Sequence, residues 1–449
     1  MNKSPNVIVF FTDQQRWDTT GVHGNPMGLT PNFDRMALEG THLYHTFTCQ
    51  PVCAPARGSL QTGMYATRHG VWRNGLTLNA ELPTLATHFS QAGYQTGYIG
   101  KWHLMDQEIG PVPEELRGGY EYWLASNVLE FTSTAYHTVL YDRDNQGIQL
   151  PGYRVDALTD AAIRYIDAYQ KDPFFLFLSF IEPHHQNQID DYVAPDGYRE
   201  RYTGVWMPPD LAALGGSAHQ HMAGYYGQVK RLDEALGRLL DALKSLDILE
   251  NTIVLFTSDH GSHFKTRNSE YKRSIHESSI RVPTAIIGPG FQGGGRVTGL
   301  VSLVDLPPTL LDAVGLPVPE AMQGYSVCSL LRGGEANWPE EVFIQVSESQ
   351  VGRAVRTSRW KYSVTAIDKQ GWIDMDSDRY SEEFLYDLQA DPYELCNLIG
   401  LVSHQKVTGV LRKRLVQRII EAGESEPVIE EAELRASGQR FIPEEEIYL

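Results

Sequence analysis

Asn6-Val-Ile-Val-Phe-Phe-Thr12, followed by Asp13 and Gln14, is an unbroken apolar run of strand length with polar residues at both ends. A strand apolar at every position must be covered on both faces, the condition of a central strand in a parallel sheet. Phe174-Phe-Leu-Phe-Leu-Ser-Phe-Ile181 and Thr252-Ile-Val-Leu-Phe-Thr-Ser258 read the same way, and 96–100 and 282–288 add two shorter strands. Helical stretches lie between them. Thr30-Pro31 opens one that Gly40 closes, 82–92 ends at Gly93, and 156–169 and 218–246 follow, with N-cap, first-turn and C-terminal residues of the expected kinds. Strands alternating with helices predict an α/β fold with a large doubly wound, mostly parallel sheet flanked by helices, with ligands at the strand carboxyl ends.

After about residue 331 the pattern changes. Short strands at 342–347, 353–357, 360–364 and 384–388 have no helices between them, and a helix at 404–422 follows. This predicts a catalytic α/β domain over 1–330 and a C-terminal subdomain over 331–449, made of a small antiparallel sheet and a helix. The acidic stretch 424–449 is expected to be an arm lying on a neighbouring surface, which makes a homo-oligomer a candidate assembly.

Composition narrows the classes. With 42% hydrophobic residues in 449 the chain can bury a substantial core, and its formal charge of −18 argues against nucleic-acid partners, which require basic surface. The apolar run at 6–12 is too short for a membrane span or a secretory core, so no membrane partner is expected. Four cysteines, Cys49, Cys53, Cys328 and Cys396, form no dense framework, which fits a reducing, cytoplasmic setting.

Cys53-Ala-Pro-Ala-Arg57-Gly-Ser-Leu-Gln-Thr-Gly63 is the stretch that speaks of chemistry. Pro55 suits the first position of a helix and Gly63 its end. Cys53 could be a small buried hydrophobe, but Arg57 shares its helical face, and a cation at a helix N-terminus favours a thiolate. The pattern Cys53-x-Pro55-x-Arg57 with Leu60-x-Thr62-Gly63 resembles the signature of type I sulfatases of the alkaline phosphatase superfamily, in which the cysteine is oxidised to formylglycine.

Read from residues alone, Asp13 and Asp259-His260 follow two strands and form a natural cup for a divalent metal. The resemblance implies that Asp13, Gln14, Asp259, His260 and the modified Cys53 hold it. Calcium leads, with manganese or magnesium as alternatives, and the imidazole of His260 makes manganese more plausible. Gln14 and His260 depart from the commoner Asp and Asn and resemble the pattern of phosphonate monoester hydrolases and of some choline-sulfatase-like members. Gly100-Lys101-Trp102-His103-Leu104 matches a sulfatase segment in which Lys101 and His103 face the anion, as residues two apart do on an extended chain.

The resemblance carries a substrate-facing role to His184, with His185 as the alternative, and to Lys272 ahead of Arg281-Val282-Pro283. Arg273 competes with Lys272 for that role, and His276 or Arg281 could reach the pocket rim. Asn74 reads either as a type I′ turn with Gly75 or as a substrate contact. The implied catalytic set is Cys53, Arg57, Lys101, His103, His184 and Lys272, with substrate contacts at Asn74, His185 and His276. Its implied mechanism has one hydroxyl of the hydrated aldehyde, oriented by Arg57, attack sulfur. The other later loses its proton and expels sulfate. His184, helped by Lys272, is the expected acid and His103, from its ordinary pKa, the expected base; the two roles could be exchanged.

The leading expectation is thus a metal-dependent sulfatase acting on a carbohydrate or aryl sulfate and matured by a formylglycine-generating enzyme. A phosphonate monoester or phosphodiester hydrolase is the alternative, and an inactive binding homologue the third. Trp123, Tyr136, Tyr192, Tyr198 and Trp206 are available either to stack on a substrate ring or to pack.

Overall fold

The computed structural model describes residues 4–106, 109–204, 206–333, 338–437 and 442–448. Two sheets organise it. The larger contains β1 (Asn6–Thr12), β2 (Thr41–Phe47), β3 (Gln95–Lys101), β4 (Tyr122–Ser126), β5 (Thr138–Asp142), β6 (Gly147–Leu150), β7 (Phe174–Ser179), β8 (Thr252–Ser258), β9 (Arg281–Val282), β10 (Ala285–Ile287) and β11 (Gly295–Ser302). They run in the order β11-β2-β10-β8-β1-β7-β3-β4-β5-β6, with β9 paired to β2. The central five, from β8 to β4, are mutually parallel, so their carboxyl ends share one edge.

β1 shows why the apolar run must be central. Val7, Val9 and Phe11 face one core layer with the helices Cys53–Thr62 and Leu85–Gln91. Ile8 and Phe10 face the other, with the helices Pro31–Glu39, Arg154–Tyr169 and Ala218–Ser245. Alternation thus sends side chains into two separate cores, and a polar residue anywhere in the run would be stranded.

The expected doubly wound, mostly parallel sheet is present, with two differences. The strand expected at 282–288 is split at Pro283 into β9 and β10, and β10 runs antiparallel to both β2 and β8; proline lacks the N–H a continuous ladder needs. The outer strands β5 and β6 are an antiparallel hairpin extension whose half-exposed residues carry little periodic signal.

The second sheet comprises β12 (Glu341–Val346), β13 (Gly352–Thr357), β14 (Trp360–Thr365), β15 (Arg379–Asp387) and β16 (Val428–Glu430). It is antiparallel except for β16, which joins β15 in parallel, and the helix Gln405–Glu421 packs on it. The terminal stretch corrects the expected arm. Its described part folds back onto its own chain: Glu424 pairs with buried Arg353 at 2.9 Å, β16 extends the sheet, and Ile442 and Ile447 enter the core beside Trp360. Residues 438–441 and 449 lie outside the described residues. Among those described, no helix is long and apolar enough to cross a membrane.

Buried ion pairs lock the two sheets together. Lys361 on β14 donates to Glu394 at 2.5 Å and pairs with Glu277, beside β9, at 2.9 Å. All three side chains are buried.

Candidate active site

The parallel strands deliver their polar ends to one place. Asp13 follows β1, Lys101 ends β3, and Asp259 and His260 follow β8. Cys53 is the first residue of the helix Cys53–Thr62, which makes Pro55 its third residue rather than its first. Proline is tolerated there because the first-turn N–H groups lack intrahelical partners. One of them, Ala54 N–H, donates to Asn74 Oδ1 at 3.1 Å. Gly63 ends the helix as expected, at φ 70° with its N–H bonded to Ser59 O.

Around Cys53 the groups converge. Lys272 Nζ donates to Cys53 Sγ at 2.7 Å, to His260 Nε2 at 3.1 Å and to His184 Nε2 at 3.3 Å. Sγ lies 3.3 Å from His260 Nε2 and 3.6 Å from Asp13 Oδ1. Burial and Asp13 push the thiol up, but Lys101, Lys272 and His260 outweigh them and bring it down to about 6. Arg57 is turned away from this task. It donates to Asp13 Oδ2 at 2.9 Å, Asp259 Oδ2 at 3.5 Å, Ser179 Oγ at 2.7 Å and Lys101 O at 3.0 Å, so it braces the carboxylates rather than the sulfur.

Asp13 is fully buried and shared. Its Oδ2 also accepts from Lys101 Nζ at 2.9 Å, while that ammonium reaches Glu130 Oε1 at 3.0 Å. Burial opposes ionisation, but Lys101 and Arg57 hold Asp13 well below the carboxylate range. Asp259 goes the other way, since burial and the neighbouring Asp13 push it up to about 6.

The donor set suits a divalent cation. One ligand atom each from Asp13, Cys53, Asp259 and His260 lie within 4.8 Å of one another. His260 Nδ1–H donates to Gly261 O at 2.9 Å, which leaves Nε2 with its lone pair toward the cup, the arrangement usual in ligating histidines. Gln14, at φ 69°, donates through Nε2 to Tyr192 Oη at 2.8 Å, and its buried Oε1 has no partner. An orphaned buried carbonyl on the residue that follows Asp13 is the kind of group a cation would satisfy. The loop is held from behind by Arg16, which is buried between Asp18 and Asp210 and donates to Ser262 O at 2.7 Å.

The remaining expected residues divide. His184 lies against Lys272; its Nδ1–H donates to His185 O at 2.6 Å, and burial, with His185 and Lys272, holds it neutral well below its ordinary range. His185 stacks on His184 and packs at a tilt against Tyr271. His103 does not follow an extended chain, for β3 ends at Lys101 and His103 sits at φ 57°. Burial and Lys101 push its imidazole down to about 3, so the ordinary pKa expected of a base is not retained.

Asn74 is absent from the left-handed residues while Gly75 has φ 78°, so no type I′ turn forms and Asn74 caps the Cys53 helix. His276 is not at the cup: it contacts Tyr386 Oη at 3.2 Å and Phe384 in the second sheet. Arg281 stacks on Trp17. Trp123 and Tyr192 are buried and pack, leaving no ring face for substrate. Sequence reasoning missed Glu130 and Glu348, whose partners are remote in the chain.

A family model described as Sulfatase matches residues 5–316, and one described as N-sulphoglucosamine sulphohydrolase, C-terminal, matches 269–421. An ulvan-active sulfatase of Formosa agariphila is 30% identical over 438 residues, covering 94% of this chain and 82% of that one. A solved structure described as bound to its substrate D-glucosamine-2-N,6-O-disulfate superposes with a TM-score of 0.77 at 24% identity, covering 95% of this chain and 99% of the other. The phosphonate monoester hydrolase of Agrobacterium radiobacter does so with 0.71 at 23%, covering 93% and 96%. At those identities the two structures speak for the fold.

Proposed function

This chain belongs to the sulfatase family, and from that premise we propose that it hydrolyses the sulfate ester of a saccharide at a divalent-metal site built around Cys53 converted to formylglycine. The observation that carries the proposal is the convergence of Lys272, His260 and Asp13 on Sγ, with Sγ standing in for an oxygen of the hydrated aldehyde. The saccharide rests on the relatives, one named for ulvan and one described with a glucosamine disulfate.

Asp13, Asp259, His260 and Gln14 would hold the metal, which supplies Lewis-acid stabilisation of the anionic centre. Hydrated formylglycine would supply a hydroxyl nucleophile and a second hydroxyl whose deprotonation regenerates the aldehyde. Everything else falls to ordinary side chains. The carboxylates of Asp13, Asp259 and Glu130 face the fixed cations Arg57, Lys101 and Lys272, so a bound divalent ion leaves a positive excess that an anionic ester offsets. Lys272 Nζ meets the non-bridging oxygens.

Neutral His184, accepting from Lys272 through Nε2, forms with it the donor pair for the leaving alkoxide; Lys272 supplies the proton and His184 orients it. His103, neutral and at about 3 too weakly basic to take up the proton of the second step, offers its buried unpartnered Nδ1 as a hydrogen-bonding group instead. Maturation requires a formylglycine-generating enzyme, and a cytoplasmic setting remains part of the proposal.

Two measurements test this. Steady-state rates on matched aryl sulfate and phenylphosphonate esters should favour the sulfate in kcat/KM; a large preference for the phosphonate would transfer the assignment to phosphorus. Titration with calcium, manganese or magnesium should show affinity falling as pH drops below about 6, because the Asp259 carboxyl then keeps its proton and competes with the ion. Affinity unchanged between pH 7 and pH 5 would remove Asp259 from the ligand set.

A further inference from the structure

The turn between β12 and β13 carries Glu348, a non-glycine residue at φ 66° with a fully buried side chain. Backbone in that region persists only when its surroundings hold it. The holding is visible. Oε1 accepts from Asn74 N–H at 2.7 Å, Oε2 pairs with Arg273 Nη2 at 2.6 Å, and Glu348 N–H donates to Gly371 O at 2.8 Å. A Cβ at Gly371 would meet the backbone of Glu348 and Gln350 within 3 Å. One residue therefore ties together Asn74, Arg273 and Gly371, of which Asn74 caps the Cys53 helix and Arg273 follows the lysine that reaches Sγ.

Within this tie the Arg273 guanidinium backs the indole of Trp372, with Cζ 5.4 Å from a ring centroid. Arg273 is steadied on its other side by Glu270 at 3.3 Å. The indole remains 45% exposed, and Ile373 beside it 68%. A large aromatic side chain fixed from behind and open in front gains little from folding, and an exposed apolar group of this kind beside an active site marks binding.

We propose that Trp372 is the floor of a saccharide subsite that seats the pyranose ring adjoining the sulfated residue; this rests on the sulfatase reading above. Two features select a sugar as occupant. A pyranose presents an apolar C–H face ringed by hydroxyls, and the indole rests on the Arg273 guanidinium, a cation held by Glu270 and Glu348 whose side chain keeps 14% exposure. The platform is also continuous with the reaction centre, since Arg273 follows Lys272, whose Nζ touches Sγ of Cys53. A ring on Trp372 and a sulfate at position 53 then belong to one molecule, and the enzyme selects oligosaccharide sulfates over isolated monosaccharide sulfates.

The test is binding without turnover. Full-length protein with Cys53 left as the thiol and loaded with calcium is applied to an array of sulfated oligosaccharides and the matching sulfated monosaccharides. At least one oligosaccharide class should bind about tenfold tighter than its monosaccharide, Trp372→Ala should erase that margin, and Trp372→Phe should restore part of it, as for other aromatic anchors. No oligosaccharide margin in the wild type, or a margin that survives Trp372→Ala, overturns the subsite. So does a dimer that Trp372→Ala dissociates while glycan binding stays unchanged, since the patch would then be a contact between copies. Aryl sulfate hydrolysis by the matured wild type, run in parallel, separates failure of the subsite from failure of the sulfatase reading.

Discussion

Arg57→Ala is expected to lower stability by about 3–5 kcal/mol and to bring sulfate release below detection. The guanidinium is 2% exposed and is the cation shared by Asp13 and Asp259. It also donates to Ser179 and Lys101 and lies over the Phe11 ring. Without it two buried carboxylates face each other with only the ammonium groups of Lys101 and Lys272 to oppose them. Asp259 is already the one that keeps its proton to about 6, and losing Arg57 drives it higher, so at neutral pH the metal cup loses a ligand. Chemical denaturation, with metal titration on the protein that remains folded, reads both effects. Arg57→Lys should retain part of the stability, because one ammonium cannot reproduce the fork. Wild-type stability in Arg57→Ala would mean that the carboxylates are not held as described.

The second large effect concerns Lys101. The ammonium is fully buried between Asp13 and Glu130, so Lys101→Met leaves Glu130 without its cation and should cost a further several kcal/mol. Lys101→Met combined with Glu130→Leu removes both members of that pair. It should recover much of the stability, since a buried pair replaced by apolar groups is often neutral, while Arg57 still opposes Asp13. Turnover should stay lost in both variants, by roughly three orders of magnitude, if Lys101 also stabilises charge that develops on the transferring group. Recovery of turnover in the double variant would reduce Lys101 to a structural role.

What the sequence could and could not reveal follows from how far each interaction reaches. The β1 run was readable because burial on both faces imposes an apolar residue at every position, and Asp13, Lys101 and Asp259 were findable because a parallel sheet brings its carboxyl ends together. The motif around Cys53 is local and specified its own helix, though not that Cys53 begins it. Arg57 shares a helical face with Cys53, as spacing predicts, yet spacing is blind to the two carboxylates that arrive from other strands and draw it away.

Glu130 and Glu348 lie 29 and 274 residues from Lys101 and Asn74, the groups they hold, and no periodicity records such pairs. His103 and His276 failed for opposite reasons. An ordinary imidazole pKa does not survive burial beside Lys101, and nearness in sequence to Lys272 did not prevent the second sheet from claiming His276. The terminal stretch read as an acidic arm for a neighbouring surface, but Glu424 found buried Arg353 within its own chain.

The central claim is that position 53 acts as an aldehyde hydrate rather than as a thiol. The most direct measurement is sulfate release from a sulfated oligosaccharide by two preparations of the same chain, one made with a formylglycine-generating enzyme and one without, with the state of residue 53 read by peptide mass. The matured protein should be faster by at least roughly a thousandfold, the scale expected of covalent catalysis with its nucleophile in place. Equal rates from the thiol and the aldehyde, with conversion verified, would contradict the account.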